Sequence, residues 1–145
     1  MLRGGVELSK KVAMNKATER AMKKLGELIT ECRGDRSLRK IAEPSGIAAS
    51  QLQSIERGIL APTADVYSKL LTALQPDEKQ KPELDRLYMT IRKTPPPDVC
   101  ELLISNPNLI TILRTMEDTK LSKKDMNSAL ALIAQMKIKG DTDNG

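Results

Sequence analysis

Apolar residues recur along the chain at intervals of three and four positions, a pattern typical of amphipathic α-helices. The first stripe predicts a helix that is capped by Asn15, runs to about Arg33 and is ended by Gly34. Its inward positions are Ala17, Ala21, Leu25, Leu28 and Cys32.

Three shorter helices are predicted between positions 37 and 74. The first is capped by Ser37 and is broken by the Pro-Ser-Gly segment 44–46. The second covers about 49–57 and is closed by Gly58. The third follows a Thr63 cap, and its inward positions are Val66, Leu70 and Leu74.

The second half of the chain continues this helical pattern. A fifth helix after Pro76 carries Leu84, Leu87, Tyr88 and Ile91 on one face. Three consecutive prolines at 95–97 favour extended backbone and predict a domain boundary. Beyond them, Asn106-Pro107 predicts a helix cap with proline at the first helical position, and Ser122 with Asp125 has the capping-box pattern of a helix that continues to Gly140.

These breaks predict five segments. Residues 1–15 are expected to form a flexible basic arm, and 16–94 a helical domain whose fifth helix trails the others. Residues 95–97 are expected to be a proline linker, 98–140 a separate helical segment, and 141–145 a disordered tail.

Composition supports an all-α fold and argues against an enzyme. Aromatic residues make up 1% of the chain, so the core is built from aliphatic side chains, as helix packing allows. The absence of His excludes a Ser-His-Asp triad and every His-containing metal site. The two cysteines, Cys32 and Cys100, lack metal-binding or redox spacing. We therefore predict no catalytic residue, no cofactor and no metal.

The chain is also expected to act away from membranes. No apolar run reaches the roughly 18 residues of a membrane span, and the N-terminus lacks the apolar core of a signal peptide. Low cysteine content fits a reducing compartment, so a cytoplasmic location is expected.

The net positive charge of the chain lies entirely in its first part. Residues 1–60 contain 12 Lys and Arg against 7 Asp and Glu, whereas 61–145 contain 12 of each. This asymmetry predicts a polyanionic partner for the N-terminal part alone, although a merely solvated basic face is an equal reading of charge by itself.

The segment 38–57, LRKIAEPSGIAASQLQSIER, has the pattern of two helices joined by a turn. Ala42 is small where the helices cross, and Gly46 lies where the turn needs a positive φ. With the residues that follow, the segment resembles the XRE family of lambda-repressor-like regulators. The matching residues are Ala42, Gly46, the run Glu56-Arg57-Gly58, Pro62, and Leu70, Leu71 and Leu74.

The resemblance covers about residues 18–76. It implies a compact helix-turn-helix domain of four to five helices that binds double-stranded DNA as a homodimer, and here a transcriptional repressor is expected. It places the second helix of the motif on base edges in the major groove. The base-contact candidates are Ala49, Ser50, Gln51, Gln53 and Ser54.

Phosphate contacts are expected around the start of the motif's first helix, whose free N–H groups favour an anion, and in the loop after the second. The candidates are Arg36, Ser37, Arg39, Lys40 and Arg57. For Arg57, pairing with a neighbouring carboxylate is an alternative of equal weight.

Two positions depart from the family pattern. Pro44 stands where the family continues a helix, which predicts that this helix ends early or kinks. The family also pairs the residue at Glu56 with an Arg in the first helix, where this chain has Glu31. Either the connection between the first and second helices is shifted, or Arg33 or another basic residue pairs with Glu56 instead.

The C-terminal helices are expected to form the dimer, because 98–139 are too few residues to bury their apolar stripes alone. The candidate interface residues are Leu109, Leu113, Met116, Leu130 and Ile133. The alternatives are an antitoxin that also binds a toxin, with a toxin or anti-repressor protein as the further partner, and a protein-binding adaptor that no longer binds DNA.

Overall fold

The computed structural model describes the backbone of residues 14–143 and side chains as far as Met136. This part of the chain contains eight α-helices and no strand, which confirms the all-α prediction. The helices are α1 (Lys16–Arg33), α2 (Leu38–Ala42), α3 (Ala49–Glu56), α4 (Ala64–Leu74), α5 (Gln80–Arg92), α6 (Pro97–Ser105), α7 (Asn108–Asp118) and α8 (Lys123–Asp143).

Three of these helices begin at the caps that the sequence predicts. The side chains of Asn15, Ser37 and Thr63 each accept a hydrogen bond from the backbone N–H three residues later, at 2.8, 3.2 and 3.4 Å. Each bond satisfies a donor that the first helical turn would otherwise leave without a partner. These helix starts are therefore set by local sequence.

Helix α2 has only five residues and ends at Ala42, two positions before Pro44. Proline has no N–H to bond the preceding turn, so the helix ends early, as predicted. The buried Ser45 hydroxyl donates to the carbonyl of Ile41 at 2.7 Å and so holds the turn against α2. Gly46 then adopts a φ of +70°, a conformation that other residues rarely adopt.

Helices α1 to α5 surround one hydrophobic core, which is aliphatic except for both tyrosines of the chain. The rings of Tyr67 and Tyr88 stack with centroids 4.2 Å apart. The Tyr67 hydroxyl donates to Asp85 at 2.7 Å, and Lys81 pairs with the same carboxylate. Burial, followed by the bond to Asp85, raises the pKa of Tyr67 well above its usual range, so the donor proton stays in place.

Helix α1 crosses the end of α3 at Gly26 with no space for a side chain. A β-carbon at Gly26 would lie 2.2 Å from the carbonyl oxygen of Glu56 and 2.7 Å from that of Ile55. Glycine in a helix interior is normally destabilising by roughly 1 kcal/mol relative to alanine. Here that disadvantage is offset because the two backbones touch.

The chain divides into two compact units between Glu101 and Leu102. Contrary to prediction, the three prolines do not form a separate linker. Pro96 is buried, and Pro97 is the first residue of α6. Proline is tolerated at that position because the missing N–H would have no helical partner there.

Two other predicted features of the C-terminal part are corrected. Asn106 does not cap α7, which begins at Asn108 after Pro107; its amide instead donates to the carbonyl of Leu102 at 3.2 Å. Helix α8 continues past Gly140 to Asp143, so 141–143 are helical and not disordered, whereas 144–145 lie outside the described residues. The basic arm falls mostly in 1–13, which are outside them too.

The capping box at the start of α8 is confirmed. The backbone N–H of Ser122 donates to the Asp125 carboxylate at 3.2 Å, and the N–H of Asp125 donates to the Ser122 hydroxyl at 3.1 Å. The shorter Asp therefore serves where Glu is usual. Within the part of the chain that is described, no helix is both long and apolar enough to cross a membrane.

We predict that Gly26→Ala destabilises the protein, although alanine is the better helix former. The added methyl would overlap the Glu56 carbonyl, and overpacking of this kind costs about 1–3 kcal/mol. Urea unfolding followed by circular dichroism measures the change in free energy of unfolding. The control is Glu27→Ala, at the exposed neighbouring position. Equal or higher stability of Gly26→Ala would contradict this account of the crossing.

Candidate nucleic-acid interface

Helix α3 is buried on one face and open to solvent on the other. Leu52 and Ile55 are 0% and 1% exposed and hold the helix in the core. The opposite face carries the predicted base contacts: Ser50, Gln51 and Gln53 are exposed, and Ala49 and Ser54 are half-buried. The helix therefore presents a short row of groups that can both donate and accept hydrogen bonds.

The end of α3 is fastened to α1 by an ion pair. Glu56, with 8% of its side chain exposed, accepts from Arg33 Nε at 3.0 Å and Nη2 at 2.9 Å. The Thr30 hydroxyl donates to the same carboxylate at 2.8 Å. Hydrogen bonding to Glu56 raises the pKa of Arg33, so its guanidinium stays charged. Of the partners left open for Glu56, the structure selects Arg33.

Arg36 is not placed to contact phosphate, contrary to prediction, because its guanidinium is turned inward. It donates to the carbonyls of Cys32 and Arg33 at the end of α1, at 2.6 and 3.0 Å. It also donates to those of Ala73 and Leu74 at the end of α4, both at 3.1 Å. These carbonyls lack helical partners, and a cation is favoured at the negative ends of two helix dipoles.

The other predicted phosphate ligands lie at the surface. Ser37, Arg39, Lys40 and Arg57 are all exposed. The Ser37 hydroxyl already caps α2, and Arg39 pairs with Glu43 at 3.1 Å in a solvated contact that is worth less than about 1 kcal/mol. Among the described residues, Arg57 forms no ion pair. Of the two roles predicted for Arg57, the carboxylate pair is therefore not observed there, and phosphate contact is the role that stays a prediction.

Lys23 belongs to the same region, but sequence reasoning did not identify it. A β-carbon at Gly58 would lie 2.9 Å from the Lys23 α-carbon, so α1 and the loop after α3 touch there. Lys23 is exposed, and its backbone lies against Gly58, the residue that follows Arg57. Helical periodicity shows only that Lys23 faces outward. Its proximity to Gly58 depends on the crossing at Gly26, which no local pattern reveals.

The predicted dimerisation residues lie in the second unit and divide into two groups. Leu113, Leu130 and Ile133 are 54%, 65% and 62% exposed, whereas Leu109 and Met116 are half-buried. The first group is available to another chain. Leu109 and Met116 expose less of their apolar surface.

The metal-ligating and nucleophilic side chains of the described residues were also located. Among the described residues, no three His, Cys, Asp or Glu side chains come close enough together to hold a metal ion. Cys32 and Cys100 are both free thiols, and burial raises the pKa of Cys32, so its nucleophilic thiolate is disfavoured.

We predict that Arg36→Met lowers the free energy of unfolding by about 1.5–3 kcal/mol, the range for hydrogen bonds to charged groups. Four carbonyls at two helix ends would lose their bond to the guanidinium, and only that of Arg33 would keep another donor, the backbone N–H of residue 36 at 3.2 Å. Thermal unfolding measures this as a drop of several degrees. Arg39→Met is the matched control, since its exposed side chain should change the melting temperature little. An unchanged melting temperature for Arg36→Met would mean that these bonds add no net stability.

Comparison of the chain with protein-family models, with curated proteins and with solved structures finds no match.

Proposed function

We propose that the chain is a sequence-specific double-stranded DNA-binding protein, a transcriptional repressor of the lambda-repressor type. It acts in the cytoplasm as a homodimer on a palindromic operator. The observation that carries the proposal is the arrangement of α3, a short helix with its apolar face in the core and its Ser and Gln side chains in solvent. The adjacent α2 offers its capped N-terminus and Lys40 to a phosphate.

The chemistry of α3 suits the major groove. Gln side chains can bond adenine through two groups at once, Ser can donate or accept, and the Ala49 methyl can pack on a thymine methyl. The Glu56–Arg33 pair and the buried Leu52 support this role because a base-reading helix must be rigidly oriented. The basic excess of residues 1–60 supports attraction to the phosphate backbone.

A second copy of the chain is the proposed partner of the C-terminal unit. No residue between Leu102 and Met136 is buried, although α7 and α8 carry many large aliphatic side chains. About 40 residues rarely form a stable core alone. Residues 102–145 contain 6 basic and 5 acidic residues, so two copies can approach without net repulsion. A homodimer would also pair two α3 helices with two half-sites.

The alternative is an antitoxin that uses the same DNA-binding surface and covers a toxin with these aliphatic faces. The same unburied side chains favour it. The two functions predict different association states for the chain alone. An antitoxin expressed without its toxin leaves the aliphatic faces exposed to solvent, whereas a homodimeric repressor buries them against a second copy.

We predict that Gln53→Ala relaxes sequence preference, with a loss of about 1–3 kcal/mol at one base position. Selection from random DNA, followed by titration of single-base variants, measures the loss. Arg39→Ala is the contrasting variant: it should weaken binding to all sequences alike and lower the slope of log K against log salt by about one. An unchanged sequence profile for Gln53→Ala would remove this side chain from the base contacts.

We predict that Leu130→Lys with Ile133→Lys converts the dimer to a monomer without unfolding the first unit. Two charges would have to be buried in an apolar interface, and neither side chain is buried in the single chain. Sedimentation equilibrium measures the mass, and circular dichroism checks helix content. Gln135→Lys, on the same helix, should remain dimeric. If the doubly substituted chain stays a dimer, the interface lies elsewhere.

A further inference from the structure

Two large aliphatic side chains are exposed directly after α3. Ile59 is 70% exposed and Leu60 39%. Between Lys16 and Asp98, a range that the structure describes completely, Met89 is the only other large hydrophobic residue that is exposed. The remaining large apolar residues of this range are buried or half-buried, so the adjacent pair is an exception to their packing.

The loop that carries the pair is held on both sides. The N–H groups of Ile59 and Leu60 both donate to the carbonyl of Ser54, at 2.9 and 3.2 Å. Arg92 of α5 donates to the carbonyls of Ala61 and Pro62, at 3.0 and 2.9 Å. The exposure is therefore a property of a fixed loop. A loop fastened in this way presents its side chains to a partner with little loss of conformational entropy on binding.

The surroundings of the pair are basic. Arg57 precedes it and is exposed, and Lys23 lies against Gly58. Cations around a small apolar patch match the surface of DNA, where thymine methyl groups lie in the major groove between two rows of phosphates. A protein partner fits less well, because a stable protein interface needs about 800 Å² on each side and two side chains supply only a fraction of that area.

We propose that Ile59 and Leu60 are specificity-determining residues that pack on thymine methyl groups beside the bases read by α3. The proposal rests on the DNA-binding function proposed above. The Ser54 carbonyl fastens the loop to the last turn of α3, so insertion of α3 into the major groove brings the pair to the adjacent base pairs. Thymine is the one base with a methyl group in that groove, and an aliphatic contact there selects it.

The test is a double-mutant cycle on the full chain and the sequence that it selects from random DNA. Ile59→Ala and Leu60→Ala remove methyl groups from the protein, and replacement of single thymines by uracil removes one methyl group from the DNA. We expect each protein variant to bind the selected sequence several-fold to about tenfold more weakly. At one or two thymines, uracil should weaken the wild type but leave the corresponding variant unaffected.

Met89→Ala is the matched control, because Met89 is as exposed as Leu60 but lies on α5. It should bind as the wild type does and respond to uracil in the same way. The salt slope of Ile59→Ala should equal that of the wild type, because no phosphate contact is lost.

Two results would overturn the inference while leaving the proposed function intact. In the first, the Ile59→Ala and Leu60→Ala variants bind as tightly as the wild type. In the second, they bind more weakly, but the loss is not coupled to any uracil substitution. Weaker binding confined to two-half-site operators would instead assign the pair to a contact between copies of the chain. A wild-type chain that enriches no sequence from random DNA would overturn the DNA-binding function itself and this inference with it.

Discussion

The orientation of α3 depends on the contact between its last turn and α1. Gly26 removes the side chain that would separate the two backbones, and the Glu56 carboxylate then meets Arg33 and Thr30 at hydrogen-bond distance. A carboxylate this buried is stable only while its donors are in place, since removal of one partner leaves an unpaired charge. The close approach at Gly26 and the ion pair therefore act at the same crossing, one between backbones and the other between side chains.

Arg36 extends this contact to the other helices around α3. Its own carbonyl accepts from Arg33 Nη1 at 2.7 Å, and its guanidinium reaches the ends of α1 and α4. Ser37, the cap of α2, is the next residue. The same few residues therefore link the end of α3, the start of α2 and the end of α4. This network preorganises the exposed face of α3, and a surface held in place before binding loses less entropy when a ligand arrives.

Local chemistry explains what could be predicted from the sequence. The caps at Asn15, Ser37 and Thr63, the early end of α2 before Pro44 and the turn at Gly46 each depend on neighbouring residues alone, and all are present. The direction of the Arg36 side chain depends on residues 37 and 38 positions away, and the local sequence, a basic residue beside a helix start, indicates a phosphate ligand instead. The sequence limits the ion-pair partner of Glu56 to Arg33 or another basic residue, and tertiary packing determines which of these residues forms the pair.

The first unit buries most of its large apolar side chains and the second unit does not, and composition explains the difference. The first unit contains both tyrosines, which stack at the centre of its five helices and give a small domain two large buried side chains. The second unit has no aromatic residue, and its helices alternate aliphatic and polar side chains without burying any of those described. Leu, Ile and Met on two or three short helices enclose too little volume to exclude water. A closed N-terminal unit and an open C-terminal unit therefore fit the DNA-binding domain and the association segment proposed above.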